Sequence, residues 1–225
     1  MGLSGGVDSA ATAALSAHAL GPKRVVGVFM FEEENQDYRD ARYLAKLLNM
    51  RTLDFSIRPL LRAFQRAAGN KYDRVTFGNV KARLRMTILY SVANRLNLLV
   101  AGTGDRSEDI LGYFTKYGDG GVDLLPIAHL YKSQVRELAR YLHVPEVICC
   151  KPSSPNLWKG HTATDELPAD YEVLDPVLYH LFTKRTSPSI LIRGKIASRH
   201  MIESILKMHH HSNHKREYPP MIESW

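Results

Sequence analysis

Short apolar runs alternate along the chain with longer stretches whose apolar residues recur at helical spacing. Residues 24–30 form a β-branched run that reads as a buried strand, and 53–57 form a second. Between them, residues 40–48 place Leu44, Leu47 and Leu48 on one helical face. Residues 59–68 predict a helix with Pro59 in its first turn, where a missing N–H loses no helical hydrogen bond. The clearest helix covers 79–96: Val80, Leu84, Ile88 and Val92 recur every four residues, and Leu96 continues the row. Residues 10–20, rich in Ala and Leu, also predict a helix, 98–101 a strand, 131–142 an amphipathic helix and 196–208 a last helix before a polar tail. Residues 171–182 have helical spacing but contain Pro176, so a kink or restart is expected there. From 151 to 170 the chain is rich in Pro, Ser, Asn and Thr and has no period, and a loop that long is usually functional or disordered. The alternation predicts an α/β fold, a parallel sheet covered by helices, in a single domain over 1–225.

Composition narrows the partners. The 225 residues suffice for one domain with a real core. No apolar run reaches the roughly 18–20 residues of a membrane span, and the first residues lack the pattern of a signal peptide. Membrane association is therefore not expected. Cys149 and Cys150 are adjacent, cannot staple a loop and read as inert packing, which fits a reducing cytoplasm. A net charge of +7 favours anionic partners or is simply a solvated basic surface. Its even spread along the chain points to a small polyanion rather than to nucleic acid.

Ser4-Gly5-Gly6-Val7-Asp8-Ser9 carries the most chemistry. Two glycines permit a turn that lets a ligand approach the backbone, and its N–H groups, opening onto a helix N-terminus, form an anion site. Ser4 and Ser9 can donate to phosphate. Asp8 would repel bare phosphate, so its presence implies a bridging Mg²⁺. The bland reading is a Gly/Ser turn capped by Asp. The Gly-Lys-Ser/Thr ending of a Walker loop is absent. Downstream, Gly102-Thr103-Gly104-Asp105-Arg106-Ser107-Glu108 leaves the predicted strand at its carboxyl end, where ligands sit in open α/β sheets, so Thr103 and Glu108 are expected to face the nucleotide.

The first loop resembles that of ATP-using synthetases that release AMP and pyrophosphate. Longer stretches select within that group. Leu111-Gly112-Tyr113-Phe114-Thr115-Lys116-Tyr117-Gly118-Asp119-Gly120-Gly121-Val122-Asp123 and Leu130-Tyr131-Lys132-Ser133-Gln134-Val135-Arg136 resemble the ammonia-dependent NAD synthetases. So do Lys81-Ala82-Arg83-Leu84-Arg85-Met86, Lys151-Pro152-Ser153, Asp165-Glu166-Leu167 and His214-Lys215-Arg216, so that the likeness covers nearly the whole chain. The resemblance implies a doubly wound, mostly parallel sheet of the adenine-nucleotide hydrolase type. It implies that Gly2, Leu3, Ser4, Gly5, Gly6, Val7, Asp8 and Ser9 hold ATP phosphates, with Thr103, Lys132 and Ser154 also contacting ATP. Asp8 and Glu108 would bind Mg²⁺. Arg83, Lys116 and Asp123 would contact deamido-NAD, joined by His214 and Lys215 from a C-terminal tail over 205–225. The implied reaction amidates deamido-NAD with ammonia through an acyl-adenylate, Asp123 serving as base or as orienter of ammonia, in a homodimer.

Each residue also has a plainer reading. Arg83 can be a solvated surface arginine, Lys132 can solvate a helix start, and Glu108 can be a first-turn acid favoured by the helix dipole. His209, His210 and His211, lacking a carboxylate or cysteine partner, read as a polar tract rather than a metal site. The other functional readings are a different AMP-forming synthetase, such as a tRNA-modifying enzyme, or a truncated inactive nucleotide-binding copy.

Several positions depart from the family pattern. His143 stands where a helix-ending Gly is usual, Ser154-Pro155-Asn156 replaces Ser-Ala-Gly, and His161 replaces Gln. Only Met1, Gly2 and Leu3 precede the loop, so the family's first helix and strand are expected to be missing and the chain less stable than a longer form. His214 and Lys215 are expected to be mobile until dinucleotide orders them.

Overall fold

A computed structural model describes residues 1–69, 72–158 and 160–222; the last three positions of the 205–225 tail lie outside the described residues. The chain begins with a three-residue segment in which Gly2 bridges Val28 in parallel, with Val28 N donating to Met1 O at 2.9 Å and Leu3 N to Val28 O at 3.0 Å. Helix α1 (Val7–Leu20) follows. Strand β1 (Val26–Phe31) pairs in parallel with β2 (Arg51–Ser56), Val28 opposite Leu53, and α2 (Gln36–Leu47) makes the crossover. Next come α3 (Arg58–Ala68), α4 (Arg74–Leu96), α5 (Arg106–Leu111), α6 (Lys132–Tyr141) and α7 (Glu146–Cys149). The chain ends with α8 (Tyr171–Leu178), a π-helical turn over Tyr179–Thr183, α9 (Pro188–Arg193) and α10 (Arg199–His211).

Alternation along β1 explains the layers. Val26, Val28 and Met30 pack with Ile57, Leu61 and Val92 from the α3 and α4 side. Phe29 points the other way, into a cluster with Leu3, Ala13, Ala17, Tyr38 and Ala41 from α1 and α2. Helices thus cover both faces, which is the doubly wound arrangement. Within α1, Ala10, Ala11, Ala13 and Ala14 are all buried, so the helix fits between its neighbours because its side chains are small. A further cluster joins α5, α8, α9 and α10 through Ile110, Leu174, Leu178, Leu191 and Ile205. No described helix is long and apolar enough to cross a membrane.

Caps move several ends from where apolar spacing alone places them. Helix α4 starts at Arg74 because Asp73 accepts from Val75 N and Thr76 N, both at 2.9 Å. Helix α10 starts at Arg199 because Ser198 accepts from Met201 N at 3.1 Å, and it runs through His209, His210 and His211, which are therefore helical rather than a polar loop. Residues 98–101 make only one bridge, Ala101 with Leu124, in place of the expected strand. Helix α8 continues past Pro176 and changes to the π-helical turn only at Tyr179. Pro176 lacks one backbone N–H and so withdraws a single hydrogen bond, from the carbonyl of Glu172 four residues back, while the helix runs on.

His143 ends α6 with φ +58, the left-handed conformation that glycine adopts without cost. Its side chain is exposed. Replacing His143 by Gly is expected to stabilise the chain by up to about 1 kcal/mol. That raises the thermal midpoint by about 2–4 °C in a domain of this size. An unchanged or lower midpoint would contradict the assignment of strain to this residue.

Candidate functional site

The turn before α1 is built around Gly5, at φ +83. A Cβ there would lie 2.2 Å from the Asp37 carbonyl oxygen, so no other residue fits without moving α2. Ser9 Oγ donates to Gly6 O at 3.0 Å and accepts from Ser4 N at 3.2 Å, with Ser4 Oγ 3.0 Å away. Gly6 caps α1 without a side-chain partner, leaving first-turn N–H groups for an anion. Lys151 ties this turn to α2: its ammonium contacts Gly5 O at 3.1 Å, Asp37 at 2.7 Å and Asp40 at 2.5 Å. Nothing in the local spacing of Lys151 shows that the chain returns it to Gly5 across 146 residues.

Beside the turn lies a buried ion cluster. Lys132 is fully buried, and its Nζ touches Asp8 at 2.6 Å, Asp105 at 2.9 Å and Glu108 at 2.9 Å. The Tyr171 ring centroid is 5.1 Å from the same nitrogen. Burial opposes the ammonium, but the Asp105, Asp8 and Glu108 carboxylates outweigh it and hold Lys132 well above the usual lysine range. Burial pushes Asp105 up to about 6 against the pull of Lys132, and burial likewise carries Glu108 well above the carboxylate range. Lys132 therefore does not merely solvate a helix start. Glu108 is a first-turn acid, the third residue of α5 in a capping box with Asp105, and is at the same time a member of the cluster. Asp105 stands in the run that ends at Glu108, and nothing local in the sequence marks it as a partner of Lys132.

The donor set fits Mg²⁺. Asp8 Oδ1 is a buried carboxylate oxygen with no hydrogen-bond partner. A hard cation that shares its shell with phosphates needs only one or two such oxygens from the protein. Among the described residues no three His, Cys, Asp or Glu side chains are arranged to cage a metal by themselves.

The other expected residues form a second group and several outliers. Lys116 donates to the His214 carbonyl, and Lys215 Nζ reaches Gly112 O at 2.6 Å and Phe114 O at 2.5 Å. Arg216 donates to Asp109 O at 2.8 Å. Gly112 lets the tail this close, since a Cβ there would lie 2.0 Å from Ser212 Cβ. The tail around His214 and Lys215 is docked through these contacts, its cations meeting carbonyls at the end of α5 and just beyond. Asp123 is exposed and accepts from Tyr90 Oη at 2.9 Å and Val100 N at 2.7 Å. Burial, then the Asp123 carboxylate, raises the Tyr90 pKa, which keeps the phenol a donor. Tyr90 had no sequence signal. Arg83 is exposed on α4, and Thr103 is half-buried just after the Ala101 bridge. Ser154 Oγ donates to the His161 carbonyl and accepts from Asn156 N at 3.1 Å, so its hydroxyl is engaged within its own loop. His161 is buried, stacks 3.5 Å from Trp158 and meets Glu166 at 2.9 Å. Arg83, Thr103, Asp123 and Ser154 share no hydrogen bond or ion pair with the Lys132 cluster among the described residues.

Known proteins resemble the chain over its whole length. The family described as NAD synthase matches residues 1–219. The NH(3)-dependent NAD(+) synthetase of Hyperthermus butylicus is 49% identical over 98% of this chain and 81% of its own length. That of Pyrococcus furiosus is 41% identical over 97% of this chain and 85% of its own. A solved structure described as NMN synthetase from Francisella tularensis superposes with a TM-score of 0.86 at 36% identity, covering 99% of this chain and 88% of that one. The NH3-dependent NAD synthetase of Campylobacter jejuni, solved with a nitrate ion, gives 0.83 at 31% identity over 99% and 87%.

The raised Asp105 pKa makes a stability prediction. Folded Asp105 holds its proton up to about 6 against an ordinary 3.8. Ionisation therefore opposes folding, and stability is lost as pH rises through that window. Asp105→Asn removes the titration. In buffer with a chelator, the variant is expected to gain stability relative to the parent between about pH 4 and pH 7, measured by urea unfolding. A difference that stays flat or falls would contradict the burial assigned to this carboxyl.

Proposed function

The chain belongs to the NAD synthase family, and we infer that it joins ammonia to the carboxyl group of deamido-NAD, using ATP and releasing NAD, AMP and pyrophosphate. The observation that carries this reading is the match over residues 1–219. The glycine turn and the Lys132 cluster give it chemistry at the expected place.

A carboxylate does not accept ammonia directly because oxide would have to leave. In the reading proposed here, a carboxylate oxygen of deamido-NAD attacks the α-phosphorus of ATP, a C–O–P anhydride forms, and the bond to the bridging oxygen of pyrophosphate breaks. The backbone N–H groups at Gly6 and the first turn of α1 stabilise the charge that builds on the departing pyrophosphate. Lys132 supplies a fixed positive charge at the same end of the sheet. Asp8 and Glu108 would hold Mg²⁺, which offsets phosphate charge when bound. Ammonia then attacks the acyl carbon, the C–O bond to AMP breaks, and one proton must leave the nitrogen. Asp123 is the group proposed to orient ammonia and take that proton. Tyr90 Oη and Val100 N fix its two oxygens and leave lone pairs for an N–H. Ser4, Gly5, Val7 and Ser9 complete the proposed phosphate turn, Gly2 and Leu3 lead into it from their pairing with Val28, and Thr103 and Ser154 are proposed ATP contacts. For Ser154 this requires giving up its bond to His161. Arg83, Lys116, His214 and Lys215 are the proposed dinucleotide contacts, in a homodimer.

The name of the Francisella neighbour favours one second reading, that the deamido form of NMN is the acid. A pyrophosphate-release assay with each acid decides between them. Release is expected to require ATP and deamido-NAD together; release with the mononucleotide alone would select the second reading, and release with neither would overturn both.

Two predictions concern the residues. Asp8→Asn and Glu108→Gln keep shape but lose a hard anionic ligand, and pyrophosphate release should fall on the order of 100-fold. Near-normal release at saturating Mg²⁺ would remove that residue from the metal site. Asp123→Asn should still release pyrophosphate while NAD formation falls, and equal loss of both would make Asp123 a dinucleotide contact only.

A further inference from the structure

The structure assigns to Asp175, acting with Ser107, the task of positioning Lys132 against ATP; the inference rests on the ATP-using reading above. Asp175 lies on α8, is buried, and forms no ion pair among the described residues. Its carboxylate is satisfied instead by two donors from two other helices. Oδ1 accepts from Ser107 Oγ of α5 at 2.6 Å, and Oδ2 accepts from Ser133 N of α6 at 2.7 Å. Ser107 Oγ in turn accepts from Lys132 N at 3.1 Å. The first two N–H groups of α6 are thus capped from outside their own helix, by a carboxylate and by the hydroxyl that it orients.

The consequence is one of placement. Ser107 stands between Asp105 and Glu108 on the short helix that presents both carboxylates to the ammonium. Lys132 and Ser133 are the first residues of the helix that carries the ammonium itself. Asp175 therefore ties the backbone of the cation to the backbone of two of its three partners. The same helix supplies the floor: Tyr171, four residues earlier and so on the same face, sets its ring 5.1 Å from Lys132 Nζ. An ammonium in a buried site is useful only where its charge is aimed, and a shift of about 1 Å can cost on the order of 100-fold in a reaction that depends on it.

Asp175→Asn keeps one acceptor oxygen but cannot accept from both Ser107 and Ser133. Ser107→Ala leaves Asp175 on Ser133 and cuts only the link to Lys132 and α5. The test is calorimetric titration of the full chain with a non-hydrolysable ATP analogue and Mg²⁺, which returns the binding-competent fraction and the Kd separately, beside steady-state KM values for ATP and deamido-NAD. Both variants are expected to weaken analogue binding and raise the KM for ATP by about tenfold, with the KM for deamido-NAD within about twofold. A residue that merely caps α6 would lower the competent fraction and the melting temperature while leaving the Kd of the folded fraction unchanged, and that result would overturn the proposal. Should Asp175→Asn not fold, Ser107→Ala decides by the same criterion. A parent chain that binds the analogue but forms no NAD would overturn the amidation reading, and the calorimetry would still decide this one.

Discussion

A single buried ammonium organises this molecule. Lys132 meets carboxylates from α1 and α5 at 2.6–2.9 Å, and each of those helices is placed by a different part of the core. Taking such charges out of water costs several kcal/mol per ion, a cost offset only by close pairing. The pairing is incomplete: burial, and after it the crowding of three carboxylates around one cation, leaves Asp105 and Glu108 with raised affinity for protons. An excess of negative charge beside a turn rich in N–H donors suits a site that receives a cation and polyphosphate together. Neither component alone would be balanced there.

The glycine turn depends on the same packing from the other side. Gly5 is pressed against the Asp37 carbonyl, and the Lys151 ammonium bridges the Gly5 carbonyl oxygen to Asp37 and Asp40. Asn156 from the same segment also donates to Asp37. Lys151 and Asn156 therefore latch the start of the aperiodic stretch to the glycine turn, and two departures from the family pattern, Asn156 and His161, are engaged in specific contacts.

Much of the fold was legible because the periods were strong. Strand β1, helices α1, α2, α3, α4 and α6, and the parallel sheet with helices on both faces follow from apolar spacing that packing then used. The short helices α5, α7 and α9 were not legible, since four to six residues carry too little period to register. The phosphate turn could be read from its glycines, and Asp8, Glu108 and Lys132 came from motifs whose spatial meaning the sequence did not hold. What joined them was missed. Asp105 lies in a glycine-bearing run, Asp175 in a helical stretch interrupted by Pro176 and Tyr90 in a helix of regular apolar spacing, and no local pattern marks any of them as a site residue. Tyr90 reaches Asp123 across 33 residues of chain and Asp175 reaches Ser107 across 68, separations that no local pattern reports.

The central claim is that this chain activates a carboxylate on the α-phosphorus of ATP. Deamido-NAD labelled with ¹⁸O in its nicotinate carboxyl tests it directly, because the oxygen that attacks phosphorus must leave with AMP when ammonia enters. Mass spectrometry of the products should find one ¹⁸O in the AMP phosphate and none in pyrophosphate. Unlabelled AMP, or label in pyrophosphate or inorganic phosphate, would contradict the account.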